Sequence, residues 1–338
     1  MDLIALTDHG LYCAAGDFHI DPWRPVGRAF VTHAHGDHAR PGSEAYLCHE
    51  HTAPFLKKRL GDVRIEIVRY GQTLWQDGVE VSFHPAGHVL GSAQIRVARR
   101  GEVWVASGDY KLTDDGVVPP FEPLRCDVFI TESTFGLPIY RWRPQAETFD
   151  AINAWWRENV AGGRTSVLYA YALGKAQRVL AHLDPSIGPI VCHGAVESIN
   201  VLHREMGVGL PRTKLVAEIS EKAELRRALV LAPPSAAGSP WLKRFGEYSD
   251  ALASGWMQLR GNRRRRGIDR GFALSDHADW PALLAAIQAT GASRVLATHG
   301  SVGPLTRYLR EAGLDADALV TSYGDEDESD ASVAEAPD

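Results

Sequence analysis

The chain has 338 residues, 45% apolar and 23% charged, with nine Trp, ten Phe and ten Tyr; this excludes a disordered polymer and allows one large or two intimate domains. No stretch approaches the ~18 consecutive apolar residues of a membrane span, and the start lacks the basic and apolar regions of a signal peptide. The net charge of −6 belongs to the end of the chain: residues 324–338 hold seven acidic and no basic side chains, read as an acidic disordered tail. Four scattered cysteines (Cys13, Cys48, Cys126, Cys192) form no CxxC. They suit reduced thiols, so a soluble cytoplasmic protein without a membrane partner is expected.

In chain order, the first 140 residues alternate short apolar runs with Gly-rich turns. Arg28–Thr32, Val63–Arg69, Val79–His84, Ala93–Ala98, Glu102–Ala106 and Asp127–Thr131 read as strands. Glu147–Val160 carries apolar residues at helical spacing, with Trp155 and Trp156 on its core side, and stops at Gly162-Gly163. Strands at Thr165–Tyr169 and Pro189–Cys192 then alternate with helices at Lys175–His182 and Ser198–Met206, the rhythm of a parallel sheet. After a Pro-rich segment, Arg260, Arg263, Arg264, Arg265, Arg266 and Arg270 crowd together, a polyanion-binding cluster or a solvated loop. Gly271–Ser275 resumes the chain, a helix follows from Pro281 to Thr290, and a strand spans Arg294–Thr298. The expected organisation is an outer domain split into 1–140 and 270–323, with an α/β domain inserted at 141–269.

The densest chemical signal is Thr32-His33-Ala34-His35-Gly36-Asp37-His38, directly after an apolar run. In extended backbone, alternate side chains share a face, so His33 and His35 converge on one ion. A turn at Gly36 aims Asp37 and His38 at a second. Imidazole with carboxylate suits zinc, manganese or iron. His88, Asp109 and His299 each follow a strand run in a Gly-flanked loop, where a sheet presents ligands rigidly. The set divides into His33, His35 and His88 for one ion and Asp37, His38 and His299 for the other, with Asp109 bridging. Glu132 and His277 occupy similar settings without being needed as ligands. The other histidines read as structural or surface residues.

Together these residues resemble the metallo-β-lactamase fold, an αββα sandwich, and within it the nucleic-acid-processing branch that carries an inserted α/β β-CASP domain. His33 to His38 resembles that family's HxHxDH motif, and His88 and Asp109 match its next two. Glu132 in Thr-Glu-Ser-Thr, His277 in Ser-Asp-His-Ala-Asp and His299 in Thr-His-Gly resemble the three motifs that mark the branch. His299 is similar to the RNA-processing members. Tyr171-Ala-Leu-Gly174-Lys175 and Ser254-Gly255-Trp256 are similar to the DNA-repair members instead. The nearest likeness is to bacterial DNA-ligase-associated exonucleases.

This resemblance implies a 5′→3′ DNA exonuclease preferring a 5′-phosphate, with RNA processing as the alternative. Its cofactors would be two divalent ions (zinc, with manganese or magnesium possible), and its setting a ligase- or helicase-linked repair system acting on single strands or 5′ ends. Asp37, Glu132 and His277 would be catalytic, His277 protonating the leaving 3′-oxygen and Glu132 orienting it. Tyr171, Gly174 and Lys175 would receive a terminal phosphate, and Arg263, Arg264, Arg265 and Arg266 the nucleic-acid backbone.

Overall fold

A computed structural model of the chain describes residues 2–321, so the acidic tail expected at 324–338 lies outside the described residues. The chain divides into two compact units, one running to Arg141 and resuming at His277, the other spanning Trp142–Asp276.

The first unit opens with β1 (Ala5–Thr7), β2 (Gly10–Cys13), β3 (Phe18–Ile20), β4 (Arg28–Val31), β5 (Ala45–His49), helix α1 (Ala53–Leu60) and β6 (Ile65–Val68). These six strands form one sheet in sequence order. Next come β7 (Thr73–Gln76), β8 (Val79–Pro85), β9 (Ala93–Arg99), β10 (Glu102–Ala106) and β11 (Val128–Ser133). The second unit follows with α2 (Gln145–Ala161), β12 (Thr165–Tyr169), α3 (Lys175–Leu180), β13 (Ile190–Cys192), α4 (Gly194–Glu205), β14 (Lys214–Leu215), α5 (Lys222–Leu225), β15 (Leu229–Ala232), β16 (Tyr248–Ala253), α6 (Arg260–Arg266) and β17 (Arg270–Phe272). The chain then returns to the first unit with α7 (Trp280–Thr290), β18 (Arg294–Gly300), α8 (Val302–Glu311) and β19 (Asp315–Ala318).

The second sheet of the first unit runs β19-β18-β11-β10-β9-β8-β7. Its alternation sorts side chains between two cores. Trp104, Ala106, Val128, Ile130 and Leu296 join Phe18, Phe30 and Leu47 of the first sheet in one cluster. Their neighbours Val105, Phe129, Val295 and Ala297 face the opposite way, onto Leu283 and Ile287 of α7 and Leu305 and Leu309 of α8. Period-two side-chain direction thus builds a sheet-on-sheet layer with helices on the outer face of the second sheet.

The second unit is a six-stranded sheet in the order β14-β13-β15-β12-β16-β17, all of whose pairings are parallel. Val167 and Val230 face one cluster; Leu168, Leu229 and Leu231 face the other, as expected of a parallel sheet buried on both faces. Trp155 and Trp156 lie in the latter core, their ring nitrogens donating to Ser249 Oγ and Arg227 O. One boundary moves: Arg270–Phe272, assigned by sequence to the outer domain, pairs with β16, so the chain re-enters the first unit at His277. A three-residue edge strand has too little periodicity to declare its sheet. The arginine run is a helix, not an irregular loop. No helix among the described residues is long and apolar enough to cross a membrane.

Candidate metal centre

The ligand-bearing segments leave the carboxyl ends of parallel strands. β3 and β4 are parallel; β4 ends into His33–His38 and β3 ends into Asp21. In the other sheet β10, β11 and β18 are consecutive and parallel. They deliver Asp109, Glu132 and His299 to one edge, and β8, two antiparallel steps from β10, ends at the same edge into His88. The sheets are joined there by Ala93 N–H donating to Thr32 O at 2.8 Å.

Two glycines admit this approach. Gly87 has φ +76°, and a Cβ on it would fall 2.1 Å from Lys111 O; at Gly108, φ +56°, a Cβ would meet the Thr32 side chain at 2.7 Å. His299 itself has φ +59°. The β11–β18 register shifts between Glu132 and Ser133, and Ser133 Oγ donates to His299 O at 2.5 Å. A bulge of this kind re-aims a side chain at the end of a ladder.

Ligand atoms of His33, His35, His88 and Asp109 lie within 4.8 Å of one another, as do those of Asp37, His38 and His299. Asp109 Oδ2 stands 3.5 Å from His33 Nε2, 3.4 Å from His38 Nε2 and 3.8 Å from His88 Nε2, so one carboxylate serves both groups. His88 Nε2 is 3.1 Å from His35 Nδ1. Asp109 Oδ1 and His33 Nε2 are buried and make no hydrogen bond among the described residues. Buried polar atoms are normally satisfied; the unmet demand here, from nitrogen and carboxylate donors converging on two points, fits divalent cations.

The electrostatics of His33 agree with that reading. Burial, reinforced by His38 and His88, pushes His33 well below the ordinary imidazole range and keeps it in the neutral form that ligates metal. Burial would also lower His38, but Asp109, Asp37 and Asp21 outweigh it and hold His38 well above that range. Asp109, which burial alone would raise, is held well below the usual carboxylate range by the imidazoles around it, His38 foremost.

Glu132 and His277 form a further pair, and their ligand atoms also lie within 4.8 Å of that of Asp109. Both Glu132 oxygens lie 3.0 Å from His277 Nδ1, and both residues are buried. Glu132 also accepts from Tyr110 N at 2.8 Å and from Thr134 Oγ1 at 2.5 Å. His277 packs against the ligand set, its ring centroid 4.6 Å from that of His88. The carboxylate therefore fixes the imidazole's orientation, and Nε2 is the nitrogen turned away from it.

In the second unit Tyr171, Gly174 and Lys175 surround the start of α3. Lys175 is wholly buried, its Nζ 3.0 Å from Asp276 Oδ1 and 4.3 Å from the centroid of the Tyr171 ring. Gly174 adopts φ +93° and its N–H donates to Gln177 Oε1. On α6, Arg264 and Arg266 are exposed, whereas the side chains of Arg263 and Arg265 lie outside the described residues.

One functional residue is missed by the sequence reading. Asp21, buried at φ +43°, meets His38 Nδ1 with Oδ2 at 2.7 Å and accepts from Thr32 N at 2.8 Å and Thr32 Oγ1 at 2.5 Å. It fixes which nitrogen His38 offers a metal and anchors the segment that carries His33, His35, Asp37 and His38. Its signal was the one used elsewhere, a lone carboxylate ending an apolar run (Phe18–Ile20). Asp21→Asn is expected to weaken metal binding by ~10–100-fold while the chain stays folded. Calorimetric titration of the metal-free protein checks this, and an unchanged affinity would remove the role.

No family model matches the sequence. The chain is 34% identical over 316 residues to a protein named probable DNA ligase from Opitutus terrae, a match that covers 92% of this chain but 30% of that relative. Shorter stretches, 36% of the chain in each case, are similar to cleavage and polyadenylation specificity factor subunit 3 of Dictyostelium discoideum (32% over 125 residues, 16% of that protein) and to endoribonuclease ysh1 of Schizosaccharomyces pombe (36% over 128 residues, also 16%). The chain thus spans less than a third of the length of each of these relatives. Its fold is shared with a crystal structure described as a protein of unknown function from Enterococcus faecalis V583, at TM-score 0.56 and 12% identity, covering 88% of this chain and 80% of that one. These likenesses, with the histidine and aspartate clusters, support the metallo-β-lactamase/β-CASP family as the one to which the chain is related.

Proposed function

We propose that the protein is a metal-dependent phosphodiesterase that trims DNA from 5′-phosphorylated ends. The observation that carries this reading is the adjacency of two ligand groups sharing Asp109 with the buried Glu132–His277 pair. Two divalent ions, zinc being the best match to the donors and manganese or magnesium alternatives, would be held by His33, His35 and His88 and by Asp37, His38 and His299. Bound there, they supply an acidic water and positive charge at the scissile phosphate. His277 then gives its Nε2 proton to the departing 3′-oxygen as the phosphorus–oxygen bond breaks, and Glu132 steadies the imidazolium orientation through Nδ1. Asp37 completes the second ligand group and adds negative charge beside His38, 3.5 Å from its Nε2. The arginines of α6 neutralise backbone phosphates, making binding salt-dependent.

The likeness to a DNA ligase over nearly the whole chain favours a role in preparing ends for sealing, with a ligase as partner. A second reading, RNA cleavage, draws on the shorter likeness to an endoribonuclease. One gel separates them: protein with Mn²⁺, Mg²⁺ or Zn²⁺ and matched DNA and RNA strands, each with a 5′-phosphate or 5′-hydroxyl. Stepwise loss from the 5′ end of phosphorylated DNA is the expected result. Preferential cutting of RNA would overturn the DNA assignment.

A further inference from the structure

We propose that Arg59 is a positioning residue for the ligand segment His33–His38, gripping its backbone at the residues between the ligands. This rests on the reading of His33, His35 and Asp37 as metal ligands. Arg59 closes a run of three cations, Lys57, Lys58 and Arg59, in the last turn of α1, where positive charge is favoured. Lys57 and Lys58 are exposed, whereas Arg59 is half-buried. Its Nη1 donates to Ala34 O, the carbonyl between His33 and His35, at 3.0 Å. Its Nη2 lies over Gly36, the residue between His35 and Asp37: a Cβ there would fall 2.1 Å from Nη2 and 2.9 Å from Cζ. Gly36 is not among the glycines with positive φ, so it is room for the guanidinium that calls for glycine here. One planar group thus meets both non-ligand positions of the segment, a shape that a lysine ammonium does not reproduce.

The grip holds because the helix is fixed at its other end. Thr52, the residue before α1, donates through Oγ1 to Gly91 O at 2.7 Å. Gly91, at φ +84°, comes so close that a Cβ on it would fall 2.5 Å from Thr52 N. Because Gly91 is three residues after His88, α1 runs from the loop that carries His88 to the segment that carries His33 and His35. Phe55 and Leu56 are buried along it, and its eight residues span about 12 Å. The strut joins ligand-bearing loops that leave different sheets. Other carbonyls of the segment are held from elsewhere, Thr32 O by Ala93 N–H and His35 O by Ala39 N–H, and Ala34 O falls to Arg59. Partners that stand behind metal ligands in this way are typically worth ~10–100-fold in metal affinity.

The test titrates Co²⁺ into the metal-free protein and reads its visible ligand-field absorption, which reports both affinity and coordination geometry. DNA cleavage is measured beside it. The unaltered protein is compared with Arg59→Met, Gly36→Ala, the Arg59→Met/Gly36→Ala double variant and His35→Ala. Arg59→Met and Gly36→Ala are each expected to weaken Co²⁺ binding by about tenfold or more and to alter the spectrum in the same way. Gly36→Ala acts with Arg59 still in the chain, since the added methyl displaces the end of a flexible side chain. The assignment therefore stays testable if Arg59→Met does not fold. The double variant should bind no more weakly than the single ones, because both release the same grip. Losses that multiply in the double variant would overturn the proposal. So would unchanged Co²⁺ binding by Arg59→Met together with a raised KM for DNA, which would make Arg59 a phosphate contact instead. If His35→Ala loses Co²⁺ while Arg59→Met and Gly36→Ala bind it normally, the positioning role alone falls. Co²⁺ binding by His35→Ala equal to that of the unaltered protein removes the ligand reading and this inference with it.

Discussion

Asp109→Asn is expected to release metal and abolish turnover together. Its Oδ2 lies within 3.8 Å of ring nitrogens from His33, His38 and His88, so it is an anionic atom common to both ligand groups. Asparagine keeps the shape, but it offers one neutral oxygen and an amide whose hydrogens repel a cation. Bound metal should fall from about two ions per chain to one or none, and the rate by ~10³-fold or more, since the charge stabilisation a metal supplies is worth several kcal/mol. Elemental analysis of the purified variant beside its nuclease rate checks this, and full occupancy with normal rate would dissolve the ligand set.

His277→Ala separates chemistry from metal binding. The imidazole is held at Nδ1 by both oxygens of Glu132, and neither ligand group needs it. The rate should drop ~10²–10⁴-fold, the usual worth of a positioned acid, with metal content unaltered. Loss of metal in this variant would mean that His277 belongs to the ligand set, and an unaltered rate would exclude it from the chemistry. Glu132→Gln gives a milder version of the same experiment, because the amide still occupies the site but stabilises a charged imidazole poorly.

Much of this centre is visible in the amino-acid order because each element ends by exchanging apolar residues for ligands. Three imidazoles and a carboxylate within His33–His38 cannot be a core pattern, and His88, Asp109 and His299 repeat the motif of a polar residue after a β run. Asp21 shares that motif but stands alone, and nothing local says that its partners are Thr32 and His38. β19 (Asp-Ala-Asp-Ala) was equally silent, since an edge strand exposed on one side buries only Ala316. The arginine run gave no apolar period from which to read α6. Lys175 shows the opposite failure. A lysine opening a helix is ordinarily solvated, and the carboxylate that encloses it enters the chain only at Asp276, just ahead of the chain's return to the first unit.

The delivery of Asp109, Glu132 and His299 from neighbouring parallel strands has a consequence for how the centre can change over time. Strands in a sheet stand ~4.8 Å apart, and that fixed interval sets the gap between the groups they carry. The sheet is a ruler whose graduations are backbone hydrogen bonds. Loops can lengthen or be exchanged between its marks without altering what is measured. A slip of one residue along β10, β11 or β18 would turn every following side chain to the opposite face. Variation in this lineage should therefore collect in what the edge presents to substrates, while the distances at which charge is held stay constant.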